Sequence, residues 1–195
     1  MQKKGKRYKV ITLGCKVNQY ESAFFKETLE RAGWLEARGE DGAQFCVVNT
    51  CIVTQKAAHQ SRQAIRKAIR ENPEGSVVAV GCYGQVFPEE LEVIRGLDFV
   101  AGNIEKGSLV RRISRPEEGD KGNRPVRSSF YPGIPFEFLQ VHRFPGRTRA
   151  YLKIQDGCES FCSYCIVPYA RGPYRSLPVS QVIAALEDYA TRGLR

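Results

Sequence analysis

Over the first hundred positions, short continuous apolar runs alternate with longer stretches of helical spacing. Residues 8–14 (YKVITLG) predict a first strand, and 18–32 follow with helical periodicity until Gly33 stops them. A second strand is predicted over 45–49 (FCVVN). After it, Thr54 is placed to cap a helix reaching about Glu71, which Asn72 and Pro73 end. Residues 76–80 (SVVAV) predict a third strand, and 88–95 a short helix with proline in its first turn. A fourth strand over 97–101 and a last helix over 104–113 complete the series. Continuous apolar strands separated by helices imply a parallel sheet covered on both faces. The expected fold class is therefore α/β, a Rossmann-like or flavodoxin-like domain over 1–113.

Residues 114–146 change character. RPEEGDKGNRP is polar and rich in turn formers, YPGIP adds two prolines, and the segment reads as a linker that packs only in part. Residues 150–155 (AYLKIQ) then predict a strand leading into DGCESFCSYC, and Val179–Thr191 is amphipathic, with Pro178 and Ser180 suited to a helix start. One strand, one loop and one helix do not make a domain, so 147–195 is expected to be the first β/α unit of a truncated barrel.

The chain has 195 residues, 42% hydrophobic and 26% charged, with no apolar run near the roughly 20 residues that span a bilayer. Its basic N-terminus, MQKKGKRYKVITLGC, lacks the longer apolar core of a signal peptide, so a cytoplasmic location with no membrane partner is expected. Thirty Lys and Arg against 21 Asp and Glu give a net charge of +9. That surplus suits a nucleic acid, but it also suits a basic soluble protein without one. Seven cysteines is a high count and an odd one, whereas disulfide frameworks belong mainly to small secreted chains with even numbers, so these read as reduced, ligand-type residues.

Their positions sharpen this. The three clearest strands each run into a cysteine: ITLG into Cys15, VVNT into Cys51 and VAVG into Cys82. Ligands of open α/β sheets bind outside the carboxyl ends of strands, so these three can converge there. Cys158, Cys162 and Cys165 form C-x3-C-x2-C in a tight loop. Three thiolates so spaced can hold three irons of a 4Fe–4S cluster, leaving the fourth iron open for the amino and carboxylate groups of S-adenosylmethionine. Zinc would want a fourth ligand, and neither His59 nor His142 has the spacing of a zinc motif.

The remaining polar and sulfur residues are weighed in the same way. Cys46 lies inside an apolar strand and reads as a small buried hydrophobe. Lys56, Gln60, Gln63, Lys67 and Arg70 recur at helical spacing and read as a solvated face. Arg171 and Arg175, close to the cysteine loop, are candidates for phosphate or cofactor contacts, and His142 is expected at the surface.

The stretch YLKIQDGCESFCSYCIVPYARGPYRS resembles the cluster-binding region of radical S-adenosylmethionine methylthiotransferases. ITLGCKVNQYES, the NTC ending at Cys51 and the VGC ending at Cys82 are similar to that family's N-terminal domain. The resemblance implies a radical-generating 4Fe–4S cluster on Cys158, Cys162 and Cys165, with Tyr164 near the adenine of S-adenosylmethionine. It implies a second 4Fe–4S cluster, also with an open iron, on Cys15, Cys51 and Cys82. The implied chemistry removes hydrogen from C2 of an adenine and adds a methylthio group there. Implied partners are tRNA, an electron donor such as a flavodoxin-type protein, and a sulfur donor.

Lys16-Val17-Asn18 after the first cysteine, together with IQDGCESFCSYCIVPYARG, most resembles the branch acting on N6-threonylcarbamoyladenosine beside the anticodon. Other branches act on isopentenylated adenosine in tRNA or on a ribosomal-protein aspartate. The family continues with the rest of a radical S-adenosylmethionine barrel and a small RNA-binding domain, so these 195 residues alone are expected to be inactive. Two rivals from outside the family are a two-cluster electron-transfer protein and a zinc-stabilised RNA-binding module. The first would normally supply four cysteines per cluster.

Overall fold

In the computed structural model, residues 6–38, 41–114, 128–144 and 149–194 are described. Five strands, β1 (Arg7–Thr12), β2 (Leu35–Glu36), β3 (Phe45–Thr50), β4 (Ser76–Gly81) and β5 (Phe99–Ala101), form one sheet in the order β2-β1-β3-β4-β5. Every pairing in it is parallel. This is the Rossmann-like α/β domain that the apolar runs imply. Thr12 lies opposite Asn49 and Thr50 opposite Gly81, so the three strands that lead into cysteines end side by side.

Helices cover both faces. On one side, α1 (Lys16–Arg31) and α5 (Lys106–Ser114) bury Tyr20, Phe25, Leu29 and Val110 against Tyr8, Val47 and Val78. On the other, α2 (Gln55–Glu71) and the short α3 (Cys82–Val86) and α4 (Pro88–Glu92) bury Ile65, Tyr83 and Leu91 against Cys46, Val48 and Ala79. β3 is buried throughout because it sits between these layers, its side chains alternating from one core to the other. Complete burial of one such side chain contributes roughly 1.5–3 kcal/mol. Thr54 caps α2 by accepting the Ala57 N–H at 3.1 Å, as its position suggested.

Two expectations need correction, the strand over 150–155 and the placing of His142, and two short elements were not foreseen. The two-residue β2 and the five-residue α3 carry no periodic pattern long enough to read. The strand expected over 150–155 shrinks to β6 (Gln155–Asp156), paired antiparallel with β7 (Arg175–Ser176). A strand exists only where its backbone finds a ladder partner, and β7 offers two residues. Within the expected linker, Leu139, Val141 and Phe144 are buried in the α1 core, and Tyr20 donates its hydroxyl to the Leu139 carbonyl at 2.6 Å. Positions 115–127 and 145–148 lie outside the described residues. His142 is not at the surface: Glu27 accepts its backbone N–H at 2.8 Å and meets its ring at 2.8 Å, drawing it against α1.

Beyond β6, the chain forms α6 (Val167–Arg171) and, after β7, α7 (Val179–Thr191). Phe144 sets its ring edge-on to Tyr151 and Tyr189 at 6.3 and 6.0 Å, tying α7 to the sheet domain. Among the described residues, no helix is long and apolar enough to cross a membrane.

Candidate functional site

Cys15, Cys51 and Cys82 stand at the carboxyl edge of three adjacent strands. Cys15 is exposed at the N-cap of α1, Cys51 is buried after β3, and Cys82 is buried as the first residue of α3. Two are preceded by glycines with positive φ, Gly14 at +94° and Gly81 at +106°. A Cβ on Gly81 would stand 2.8 Å from both the Asn49 side-chain oxygen and the Thr50 carbonyl, so only glycine lets these strand ends close together. Ser61 of α2 clamps Cys51, accepting its N–H at 3.1 Å and donating to its carbonyl at 3.0 Å. Asn18 of α1 donates to the carbonyls of Leu13 at 2.8 Å and Thr50 at 3.0 Å, holding the approaches to Cys15 and Cys51. Burial pushes the Cys51 thiol up, the Val53 N–H pulls against it, and charge on Cys82 or Cys15 would push it further. Cys51 therefore lies within electrostatic reach of both neighbouring cysteines.

The second group lies on the loop between β6 and α6. Cys158 donates its N–H to Gly172 at 3.0 Å, and Cys165 donates its own to Cys162 at 2.9 Å, which folds the loop back on itself. Gly157 is required here: a Cβ would fall 2.0 Å from the Pro173 carbonyl, on a backbone with φ +83°. Phe161 adopts φ +43°, an uncommon conformation for a bulky residue, and sets its ring edge-on to Tyr169 at 5.9 Å. Tyr164 is 90% exposed. The Ser160 backbone N–H and hydroxyl hold the Cys158 thiol below its ordinary value.

Arg171, at the end of α6, turns inward. Its guanidinium donates to Asn18 at 2.7 Å, Glu21 at 2.9 Å and Asp156 at 3.0 Å. Lys106 also pairs with Glu21, and Lys153 reaches both carboxylates at 3.3 and 3.1 Å. Burial alone would push the Glu21 carboxyl up, but Arg171, Lys106 and Lys153 overcome it and hold it well below the usual range. Arg175 donates to the carbonyls of Arg171 and Pro173 at 3.1 and 2.9 Å and stacks over Phe130.

Two open hollows flank this region. One, of about 660 Å³, is lined by Phe87, Phe130, Phe161, Ile166 and Tyr169. The other, of about 760 Å³, lies over the start of α2, where Lys56, His59 and Arg62 meet Phe87 and Ile166. Sequence reasoning passed over Asn18, Glu21, Ser61 and Asn103. Asn18 and Glu21 did leave a signal, being polar residues in phase with the inward face of α1.

Among the described residues, no three His, Cys, Asp or Glu side chains are grouped as ligands of a single metal ion. An iron–sulfur cubane makes a different demand, taking one thiolate on each of separate irons. The donor set fits such a group: three thiols at one sheet edge, and three more within a loop of eight residues, are soft ligands suited to iron–sulfur chemistry. Cys46 belongs to neither, being buried between β3 and α2 with its thiol pushed up to about 12 by burial.

Comparison with known proteins matches residues 7–102 to the "Uncharacterized protein family UPF0004". Over 184 residues, 94% of this chain, it is 39% identical to the threonylcarbamoyladenosine tRNA methylthiotransferase MtaB of Bacillus subtilis, covering 41% of that protein. It is 35% identical to the ribosomal protein uS12 methylthiotransferase RimO of Desulforudis audaxviator, covering 97% of this chain and 42% of that one. It is 32% identical to the tRNA-2-methylthio-N(6)-dimethylallyladenosine synthase of Roseobacter denitrificans, covering 97% and 44%. The chain thus spans less than half the length of these curated relatives.

Proposed function

We propose that this chain, whose residues 7–102 match the UPF0004 family and which aligns along nearly its whole length with methylthiotransferases, is part of a radical S-adenosylmethionine methylthiotransferase. Its substrate would be N6-threonylcarbamoyladenosine in tRNA, converted to the 2-methylthio derivative in the cytoplasm. The observation that carries this reading is the pair of cysteine triads. Three thiols come from adjacent strand ends, three more from one loop, and α6 just after that loop packs on α3, which Cys82 opens. One triad would hold each of two 4Fe–4S clusters. Clusters so held, with S-adenosylmethionine bound, would supply the electron and the sulfur for methylthiolation.

The rest is done by this chain's own residues. Gly14 and Gly81 admit the close approach of the strand ends, and Ser61 holds the Cys51 backbone. Exposed Phe161 and Tyr169 offer faces on which a nucleic-acid base can stack. Lys56 beside the second hollow suits a phosphate, in keeping with the chain's net charge of +9. Tyr164 remains the candidate to lie along the adenine of S-adenosylmethionine. An electron donor of flavodoxin type and a sulfur donor complete the partners. Residues 1–113 would form the sheet domain, 114–146 the connection and 147–195 the start of the radical S-adenosylmethionine domain.

Two measurements test this. After anaerobic reconstitution of the protein with iron and sulfide, iron should approach about eight per chain, and alanine at Cys158, Cys162 and Cys165 should remove half. Colourless protein carrying zinc would sink the reading. Deletion of the gene should abolish 2-methylthio-N6-threonylcarbamoyladenosine in nucleoside mass spectra while its unthiolated parent accumulates. Loss of the isopentenyl derivative or of ribosomal-protein methylthiolation in its place would move the chain to another branch.

A further inference from the structure

We propose that Arg171 is a positioning residue that fixes the loop triad of Cys158, Cys162 and Cys165 against the sheet-edge triad of Cys15, Cys51 and Cys82. The assignment of clusters to these triads rests on the reading above; the brace itself is a matter of contacts within this chain. Arg171 lies six residues after Cys165 and its side chain is only 7% exposed. On one side it grips Asp156, two residues before Cys158. On the other it grips Asn18 and Glu21, three and six residues after Cys15. Asn18 in turn holds the carbonyls of Leu13 and Thr50, the latter adjoining Cys51. One guanidinium therefore reaches the backbone around two sheet-edge cysteines and the start of the cysteine loop.

The third sheet-edge cysteine is tied by a parallel route. Asn103 directs its side-chain amide to the Cys82 sulfur at 3.5 Å and also to the carbonyl of Ala170, next to Arg171. The chemistry calls for arginine. Its planar fork presents several N–H groups in fixed directions and meets three acceptors at once, whereas an ammonium is a point charge on a flexible stem. Arg171 is also not the sole counter-charge here. Without it Glu21 keeps Lys106 and Lys153, and Asp156 keeps Lys153. Its removal loosens the geometry before it strands a buried charge.

The test reads geometry without metal. Genetically encoded spin labels at Gln60, on the outer face of α2, and at Ser163, exposed on the cysteine loop, leave all seven cysteines native. Pulsed dipolar spectroscopy on the metal-free full chain should give one narrow distance distribution. Arg171→Met should broaden or shift it, and Arg171→Lys should do so partly. Ile65→Val, which loosens the core on the α2 side of the sheet, should leave it narrow. An unchanged distribution in both arginine variants overturns the proposal; if Arg171→Met does not fold, Arg171→Lys alone decides. The readout needs no iron, so failure of the cluster reading and failure of the brace are separate results.

Discussion

Gly14 and Cys51 are packed so closely that a Cβ on the glycine would stand 2.7 Å from the cysteine Cβ and 2.8 Å from its sulfur. The Gly14 backbone also has φ +94°. Gly14→Ala combines a strained conformation with a collision against a buried thiol. We expect it to destabilise the domain by more than about 1 kcal/mol in urea unfolding and to lower iron uptake at the sheet-edge triad. Gly33→Ala makes the comparison: φ there is +83°, but nothing lies within 4 Å. It should cost stability while sparing iron. Equal iron loss in both would remove the close approach as the cause.

The cysteines should separate by reactivity in the metal-free protein. The thiolate is the nucleophile, and Cys158 is held below its ordinary value while burial pushes Cys46 up to about 12. With iodoacetamide at pH 8, mass spectrometry should find Cys158 modified early and Cys46 only after denaturant opens the core. Native labelling of Cys46 at a comparable rate would contradict its burial.

Acid should weaken the Glu21 cluster. Despite burial, Arg171 with Lys106 and Lys153 lowers the Glu21 carboxyl, and Arg171 with Lys153 lowers that of Asp156. Groups depressed on folding contribute stability that is complete above their unfolded values, near pH 4, and lost as pH falls through the folded ones. Urea midpoints should therefore drop below about pH 4. Glu21→Gln should cost about 3–5 kcal/mol at pH 7, because Lys106 loses its buried partner, and should flatten the acid limb. An acid limb unchanged in Glu21→Gln would assign it to other carboxyls.

Thr54→Ala removes the cap of α2 and should cost about 1 kcal/mol, with Thr54→Ser restoring most of it. Thermal unfolding of the two variants checks this. Equal midpoints would mean that the Ala57 N–H finds water as readily as the hydroxyl.

The sheet was legible because β3 and β4 carry apolar runs and β1 a short β-rich one, and α2 because Thr54 and Asn72 mark its ends. The cysteine positions followed from those strand ends. What stayed hidden depends on partners distant in sequence. His142 looked like a surface residue until Glu27, 115 positions away, was seen to hold it. Arg171, read as a phosphate or cofactor contact, has its guanidinium engaged by Glu21, 150 positions away, and by Asn18 and Asp156. Such pairings leave at most a polar residue in a buried phase, as Asn18 and Glu21 do on α1.

The parallel order β1-β3-β4 also sets when each triad comes into being. Cys158, Cys162 and Cys165 are neighbours along the chain before any tertiary structure exists. Cys15, Cys51 and Cys82 become neighbours only after three strands, separated by two helical crossovers, have found their register. Pairings of that sequence range form late in folding. A nascent or unfolded chain thus displays one preassembled thiol cluster and one that is still scattered. On the proposed reading, metal offered too early would reach the loop first, and the sheet edge would accept it only as a completed fold.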